Sequence, residues 1–310
     1  MPPPAPGEVQ IRTEHSCISV GTEGWILRDQ FVWTKTPFPC VPGYQRVGVV
    51  TEIGAQVEGW RVGERAMAIA GSWPGATAPF WGSHLALANS LAEHVFHLPE
   101  GVDDIDASCG VVAQVGFNAA SRAALQSGDW VVVYGDGLIG QSAAQSARAR
   151  GARVVLVGHR DERLKLAATH SADAIINSHR EDVEARVLEL TGGQKVAVVL
   201  DSVQTEAAQR EYLPLLENGR GQIVYCGFTP RATWADMGLL QQHELSAHFV
   251  AGWNRERMEK TFNLMADEKL RVRPLITHHV AFERAPQMYR MMLEKSEPFL
   301  GIALDWRTSE

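Results

Sequence analysis

Residues 8–22 (EVQIRTEHSCISVGT) alternate apolar and polar positions and carry β-branched side chains, a pattern that predicts extended chain. Between 41 and 71, short Val, Ile and Ala runs are punctuated by glycine at spacings that suit strands and tight turns. Two more short strands are expected around His84–Ala88 and Glu93–Leu98. The first hundred residues therefore predict a β-rich, barrel-like unit. The period changes near residue 103. Residues 104–126 are Ala-rich and read as helix. Strand Asp129–Tyr134 and a glycine loop follow. Next come helix 139–150, strand Arg153–Val157, helix Asp161–Ala168, strand Ala174–Ile176 and helix Glu181–Thr191. Strand Val196–Asp201, helix Gln204–Leu216 and strand Gly221–Gly227 continue the alternation. Strands alternating with helices mean a parallel sheet covered on both faces. Further helices are expected at 254–267 and 282–294.

Composition changes this picture little. Of 310 residues, 45% are hydrophobic and 21% charged, a globular balance that excludes a fibre or a disordered chain. The net charge of −7 argues against a nucleic-acid partner, which needs a basic face. No apolar run reaches the ~18 residues of a membrane span. The start, Met-Pro-Pro-Pro-Ala-Pro-Gly, lacks the basic and apolar stretches of a signal peptide, so a cytoplasmic location is expected. The cysteines at 17, 40, 109 and 226 make no close pair, which points away from a disulfide scaffold or a zinc knuckle.

The strongest chemical signal is Gly135-Asp136-Gly137-Leu138-Ile139-Gly140. It follows an apolar strand and opens an amphipathic helix, the context a dinucleotide-binding loop requires. Gly135 permits the tight turn, Gly137 lets backbone approach a pyrophosphate, and Gly140 lets helix and sheet pack closely. Leu138 and Ile139 open the helix, whose unpaired N–H groups would face the phosphates. No acid ends the next strand, where one would bind the ribose hydroxyls of NAD(H). Gly158-His159-Arg160 stands there, with Arg163 beyond. Arg160, assisted by His159 or Arg163, suits a 2′-phosphate through charge-assisted hydrogen bonds, so NADP(H) is expected over NAD(H). On the same logic, an Asp placed at Gly158 would shift preference toward NADH.

Several segments occur in a recognisable order: Ile18–Glu23 (ISVGTE), Val41–Val50 (VPGYQRVGVV), Gly54, and Gly59–Ala66 (GWRVGERA). Gly128-Asp129-Trp130 before the GDGLIG loop, Asp201, Gly219–Gly227, Leu275–His278 and Gly301–Leu304 complete it. Over nearly its whole length the chain resembles the medium-chain dehydrogenase/reductase superfamily, the alcohol-dehydrogenase-like enzymes. The resemblance implies an α/β protein. A GroES-like catalytic domain would be built from 1–113 and 273–310, and a doubly wound Rossmann domain from 114–272. The substrate would meet the nicotinamide ring. Set against the family, the usual first hairpin is expected to be missing or shortened, because the sequence enters near Glu8-Val9-Gln10-Ile11. The segment 245–253 (LSAHFVAGW) matches the last Rossmann strand, and the resemblance implies a homodimer paired through it.

The departures from the family matter more. Val20 stands where zinc-dependent members carry a cysteine, and Tyr44-Gln45 where they carry His-Glu. The third ligand would fall near Gly110 or Val111, and the four-Cys lobe is replaced by the Trp/Pro/Gly segment 73–82. A zinc-independent enzyme is therefore expected. Thr22 matches the hydroxyl that relays the substrate proton, and Tyr44 takes the place of the metal-binding His. Glu23, Gln45 and Arg46 are expected to form one polar support network. The ISVGTE segment with Tyr44 also resembles that of the zinc-free bacteriochlorophyllide dehydrogenases. His84 reads as a residue of a strand lining the domain. His94 and His97, with Glu93, read as surface-strand residues. His278-His279 leads into the last helix, with nucleotide or interdomain contacts as its expected use. Trp25, Phe31, Trp33, Phe38, Trp73, Phe80 and Trp81 crowd the N-terminal part and suit either a core or a pocket for a hydrophobic or aromatic substrate. The leading expectation is hydride transfer between NADP(H) and an alcohol/carbonyl pair. The alternatives are a quinone or enone reductase acting on an activated C=C, and a nucleotide-binding structural or regulatory protein that has lost its chemistry.

Overall fold

The computed structural model describes residues 1–230, 233 and 235–307, and the chain divides into two compact units. One comprises Val112–Arg257 and Glu268–Pro274; the other comprises Met1–Val111, Met258–Asp267 and Leu275–Glu310.

The first of these units holds a six-stranded, all-parallel sheet. Its order is Ala174–Asn177, Arg153–Gly158, Trp130–Tyr134, Val198–Asp201, Gln222–Tyr225 and Ser246–Phe249. The strands are apolar at nearly every position because helices cover both faces. Val131 and Val133 pack with Ala143, Ala144 and Ala147 on one face. Val132 and Tyr134 pack with Tyr212 and Leu213 on the other. Each fully buried valine contributes about 1.5–3 kcal/mol. The glycine loop ends the strand Trp130–Tyr134 and leads into the helix Leu138–Ala149. Gly135 has φ +116°, and a Cβ at Gly140 would fall 2.0 Å from the Gly135 carbonyl oxygen. Neither position tolerates a side chain without moving backbone. This is the Rossmann arrangement.

The other unit is built on a seven-stranded sheet. Its path runs Ile276–Ala281, Gly301–Asp305, Glu8–Ile18, Arg46–Ile53, Arg65–Ala68 and Val95–His97, with Leu87–Leu91 paired to Glu8–Ile18 off that path. The long strand Glu8–Ile18 serves three partners. Its first half pairs with Leu87–Leu91, its second half with Gly301–Asp305, and Arg46–Ile53 follows almost its whole length. Register shifts at Gln10/Ile11 and Thr13/His15 accommodate this, since a bulge bends and twists a strand. Both ends of the described chain thus enter one GroES-like sheet.

Four local expectations change. Extended chain stops at Ile18, and Val20–Leu27 is helical. The single helix expected at 104–126 is two, Asp104–Ser108 and Gly110–Arg122. Asp103 caps the first by accepting from the Ile105 and Asp106 N–H groups, and the break falls where a Cβ at Gly110 would meet the Phe262 ring at 2.8 Å. The helix expected over Gln204–Leu216 spans only Glu206–Tyr212 and ends in a 3₁₀ turn containing Pro214, which has no N–H to continue it. The strand expected at His84–Ala88 begins at Leu87, so His84 lies in the irregular segment before it. Among the described residues no helix is long and apolar enough to cross a membrane.

Candidate functional site

In the GroES-like unit, Ser19 caps the helix Val20–Leu27 in an unusual way. Its backbone N–H is taken by Glu23 Oε1 at 2.7 Å, while its own hydroxyl makes no capping bond. The Ser19 hydroxyl instead accepts a short hydrogen bond from the Tyr44 hydroxyl. The Thr22 hydroxyl also hydrogen-bonds to Tyr44. The two residues singled out from sequence, Thr22 and Tyr44, are therefore brought together with a third hydroxyl that sequence reasoning missed. Burial drives the Tyr44 pKa well above its ordinary value, and its two hydroxyl partners only partly oppose this. The group is a phenol at neutral pH, an O–H donor rather than a base.

A buried polar chain lies behind these hydroxyls. Glu23, fully buried, accepts from the Tyr289 hydroxyl and pairs through Oε2 with His84 Nε2 at 3.0 Å. His84 Nδ1 lies 2.8 Å from Ser16 Oγ, which accepts from Trp306 Nε1 at 2.7 Å. Gly43, with φ +89°, is required here, since a Cβ there would fall 2.5 Å from the His84 ring. The expected support network of Glu23, Gln45 and Arg46 is corrected on this point. Gln45 links the Cys17 carbonyl and the Val111 N–H, and Arg46 donates to Ser90 Oγ at 2.6 Å. His84, Tyr289, Ser16 and Trp306 take the places expected for those two.

The positions that carry catalytic zinc in related enzymes do not fit the metal. Val20, Gly110 and Val111 have no ligating atom, Tyr44 is tied to Ser19 and Thr22, and Gln45 bridges two backbone groups. The nearby Cys17 thiol is pushed well up, first by its hydrogen bond with Cys109 and then by burial. His94 sits 3.9 Å from Glu93, and His97 stacks on Trp60 with centroids 3.7 Å apart, so those histidines form no cluster.

An aromatic wall adjoins Tyr44. Trp81 packs edge-on against it with centroids 5.3 Å apart, and Phe80 and Phe31 continue the stack at 4.9 and 5.7 Å. Trp25 and Trp33 flank Phe31. Trp33 and Phe38 remain 59% and 56% exposed, too open for a core.

In the Rossmann unit the decisive residue is Asp136, the acid inside the glycine motif. It is 2% exposed. Its Oδ2 accepts from the backbone N–H groups of His159 and Arg160, both at 3.1 Å. Its Oδ1 accepts from Arg160 Nη1 at 3.1 Å and Arg163 Nη1 at 3.3 Å. Burial by itself would raise the pKa of Asp136, but Arg160, the two N–H groups and Arg163 hold it below the usual carboxylate range. The basic residues expected to grip a phosphate therefore already share an anion. Arg160 is still 45% exposed along its side chain, Arg163 only 16%. His159 stacks on His179 with centroids 4.7 Å apart. The expectation for an acid at Gly158 is corrected. A Cβ there would lie 2.7 Å from Asp136 Cβ and 2.8 Å from its Oδ2, so Asp would clash with one carboxylate and repel it.

With both sites described, comparison places the chain. Residues 5–97 match the alcohol dehydrogenase GroES-like domain and residues 139–267 the zinc-binding dehydrogenase domain. An alcohol dehydrogenase of Cupriavidus necator is 25% identical, over 96% of this chain and 90% of its own. An alcohol dehydrogenase of Escherichia coli CFT073 complexed with NADH superposes with TM-score 0.83 at 22% identity, over 98% of this chain and 94% of its own. The quinone oxidoreductase of Escherichia coli complexed with NADPH gives 0.79 at 20%, over 98% and 93%. The last two likenesses speak for the fold. The chain belongs to the medium-chain dehydrogenase/reductase superfamily and is by class an NAD(P)-dependent dehydrogenase or reductase.

Proposed function

We propose that this member is a zinc-independent, NADP(H)-linked oxidoreductase that interconverts an alcohol and a carbonyl on an apolar, ring-bearing substrate. The observation that carries the reading is the convergence of the Ser19, Thr22 and Tyr44 hydroxyls where zinc ligands stand in related enzymes. Thr22 is the most exposed of the three and presents its hydroxyl to the substrate oxygen. Behind it Tyr44 donates to Ser19, and the two hydroxyls form a route for the substrate proton. Glu23 and His84 orient the group; the Glu23 bond to the Ser19 N–H leaves the Ser19 hydroxyl free for Tyr44. Trp81, Phe80 and Phe31 supply the apolar wall. The glycine loop at 135–140 holds the pyrophosphate, and the bound nicotinamide supplies or accepts hydride. The test is a panel of secondary alcohols, ketones, quinones and enones, run with both cofactors on chelator-treated protein. Turnover of alcohol/ketone pairs is expected; turnover confined to quinones or enones would replace the reading with C=C reduction.

Asp136 refines the cofactor reading. It orients the Arg160 guanidinium toward a 2′-phosphate but shares its charge. A charge-assisted hydrogen bond contributes about 1.5–3 kcal/mol, and the lower end, about tenfold in affinity, applies here. Arg160→Ala is expected to weaken NADPH about tenfold while leaving NADH nearly unchanged. Binding constants at fixed ionic strength decide it, and equal losses for both would reduce Arg160 to a support of the adenine pocket.

Among the described residues the strand Ser246–Phe249 ends the parallel sheet with one edge unpaired, and Phe249 is 74% exposed. Edge strands of this kind are resolved by two-fold pairing, so a homodimer is expected in solution. Light scattering that gives a stable 34.0 kDa species at micromolar concentration would contradict it.

A further inference from the structure

The sheet of the GroES-like unit carries a second constellation, on three adjacent strands. His15 on Glu8–Ile18 stands directly opposite Asp305 on Gly301–Asp305. On the other side of that strand, His279 is in register with Ala303, and Ala281 with Asp305. Side chains alternate along a strand, so 303 and 305 share a face, and His279, Asp305 and His15 project from it together. Their ligand-type atoms all lie within 4.8 Å of one another. The two imidazole rings are 5.2 Å apart, and His279 Nε2 is 3.7 Å from Asp305 Oδ2. His15 is 3% exposed, and its buried Nδ1 has no hydrogen-bond partner among the described residues. An imidazole so enclosed and unsatisfied calls for a ligand. No other group of three such residues occurs among the described residues.

We propose that His15, His279 and Asp305 form a binding site for a divalent transition-metal ion, with Zn²⁺ as its natural type. Two imidazoles and one carboxylate select Zn²⁺, Co²⁺ or Ni²⁺ over Mg²⁺ and Ca²⁺, which prefer all-oxygen shells. Zinc bonds of about 2.0–2.2 Å require only that the three groups close by small side-chain rotations, with water in the fourth position. Arg307 acts on the site in two ways. It donates to Asp305 from its backbone N–H, Nε and Nη2, at 3.0, 2.9 and 2.6 Å. That keeps the carboxylate ionised, and it sets a cation beside the metal position. The site is distinct from the hydroxyl cluster. Ser16 and Trp306, the chain neighbours of His15 and Asp305, are the residues that reach the His84 chain. A bound ion would therefore pin two strands that carry the buried polar chain, without touching the reacting groups.

The test uses the intact protein, freed of any affinity tag and stripped with chelator. Co²⁺ is followed by its visible absorption, and Zn²⁺ by competition with a chromophoric chelator. One ion per chain is expected. His279→Gln, a change at an exposed position, is expected to weaken Zn²⁺ at least ~100-fold, the upper end of what loss of even an outer partner costs. Asp305→Asn and His15→Ala should act in the same direction. Arg307→Gln should tighten binding roughly tenfold by removing the competing cation. Zn²⁺ affinity unchanged in His279→Gln, or no saturable binding to the wild type at millimolar Zn²⁺, would overturn the proposal. Either result leaves the zinc-independent reading untouched, because that reading concerns turnover of the stripped enzyme.

Discussion

Tyr44→Phe is expected to lower kcat about 10²-fold, the lower end of what a positioned proton-transfer group contributes, because it breaks the hydroxyl relay behind Thr22. KM should move little, because the phenyl ring keeps its contact with Trp81 and only a transition-state interaction is lost. The Tyr44 phenol is 8% exposed as a residue and stays protonated far above neutral pH, so the wild-type rate should not fall through the ordinary tyrosine range on its account. The substitution leaves the Ser19 and Thr22 hydroxyls without this partner, a stability cost of about 1 kcal/mol. Thermal unfolding separates that small effect from the kinetic one. A Tyr44→Phe enzyme within threefold of wild-type kcat would reduce the residue to packing.

Glu23→Ala should produce the largest loss of stability. Glu23 is fully buried and accepts from the Ser19 N–H, from Tyr289 and from His84. Removing it strands three buried donors, and breaking a buried polar pair from one side costs about 3–5 kcal/mol. Denaturant unfolding of this unit should register a loss of that order. Glu23→Gln retains an acceptor and should recover part of it. A loss below 1 kcal/mol for Glu23→Ala would mean that water replaces the carboxylate at little cost.

Much of the fold was legible because burial on two faces writes itself into a strand. Trp130–Tyr134 and Arg153–Gly158 are apolar runs bounded by turns, and both lie within the parallel sheet. The GDGLIG loop was equally plain, since its glycines answer local geometry. The candidate site was legible only in part. Thr22 and Tyr44 stood out against a family pattern, but nothing periodic announces that Glu23 meets His84 and Tyr289, 61 and 266 residues away. Asp136 was visible as an acid in a glycine motif. That it neutralises Arg160 and Arg163 follows from the fold bringing the ends of two strands together, which no spacing reports. The extended reading of 20–22 failed for a related reason. Glu23 caps the Ser19 N–H from four residues on, a tie that favours helix over the β propensity of the segment.

Hydride transfer to a carbonyl without a metal has a direct readout. Chelator-stripped protein is incubated with NADPH deuterated at the transferable C4 position and an aromatic ketone, and the product alcohol is examined by mass spectrometry. One deuterium on the carbinol carbon is expected, with turnover that does not require added Zn²⁺. No deuterated alcohol until Zn²⁺ is restored would contradict it.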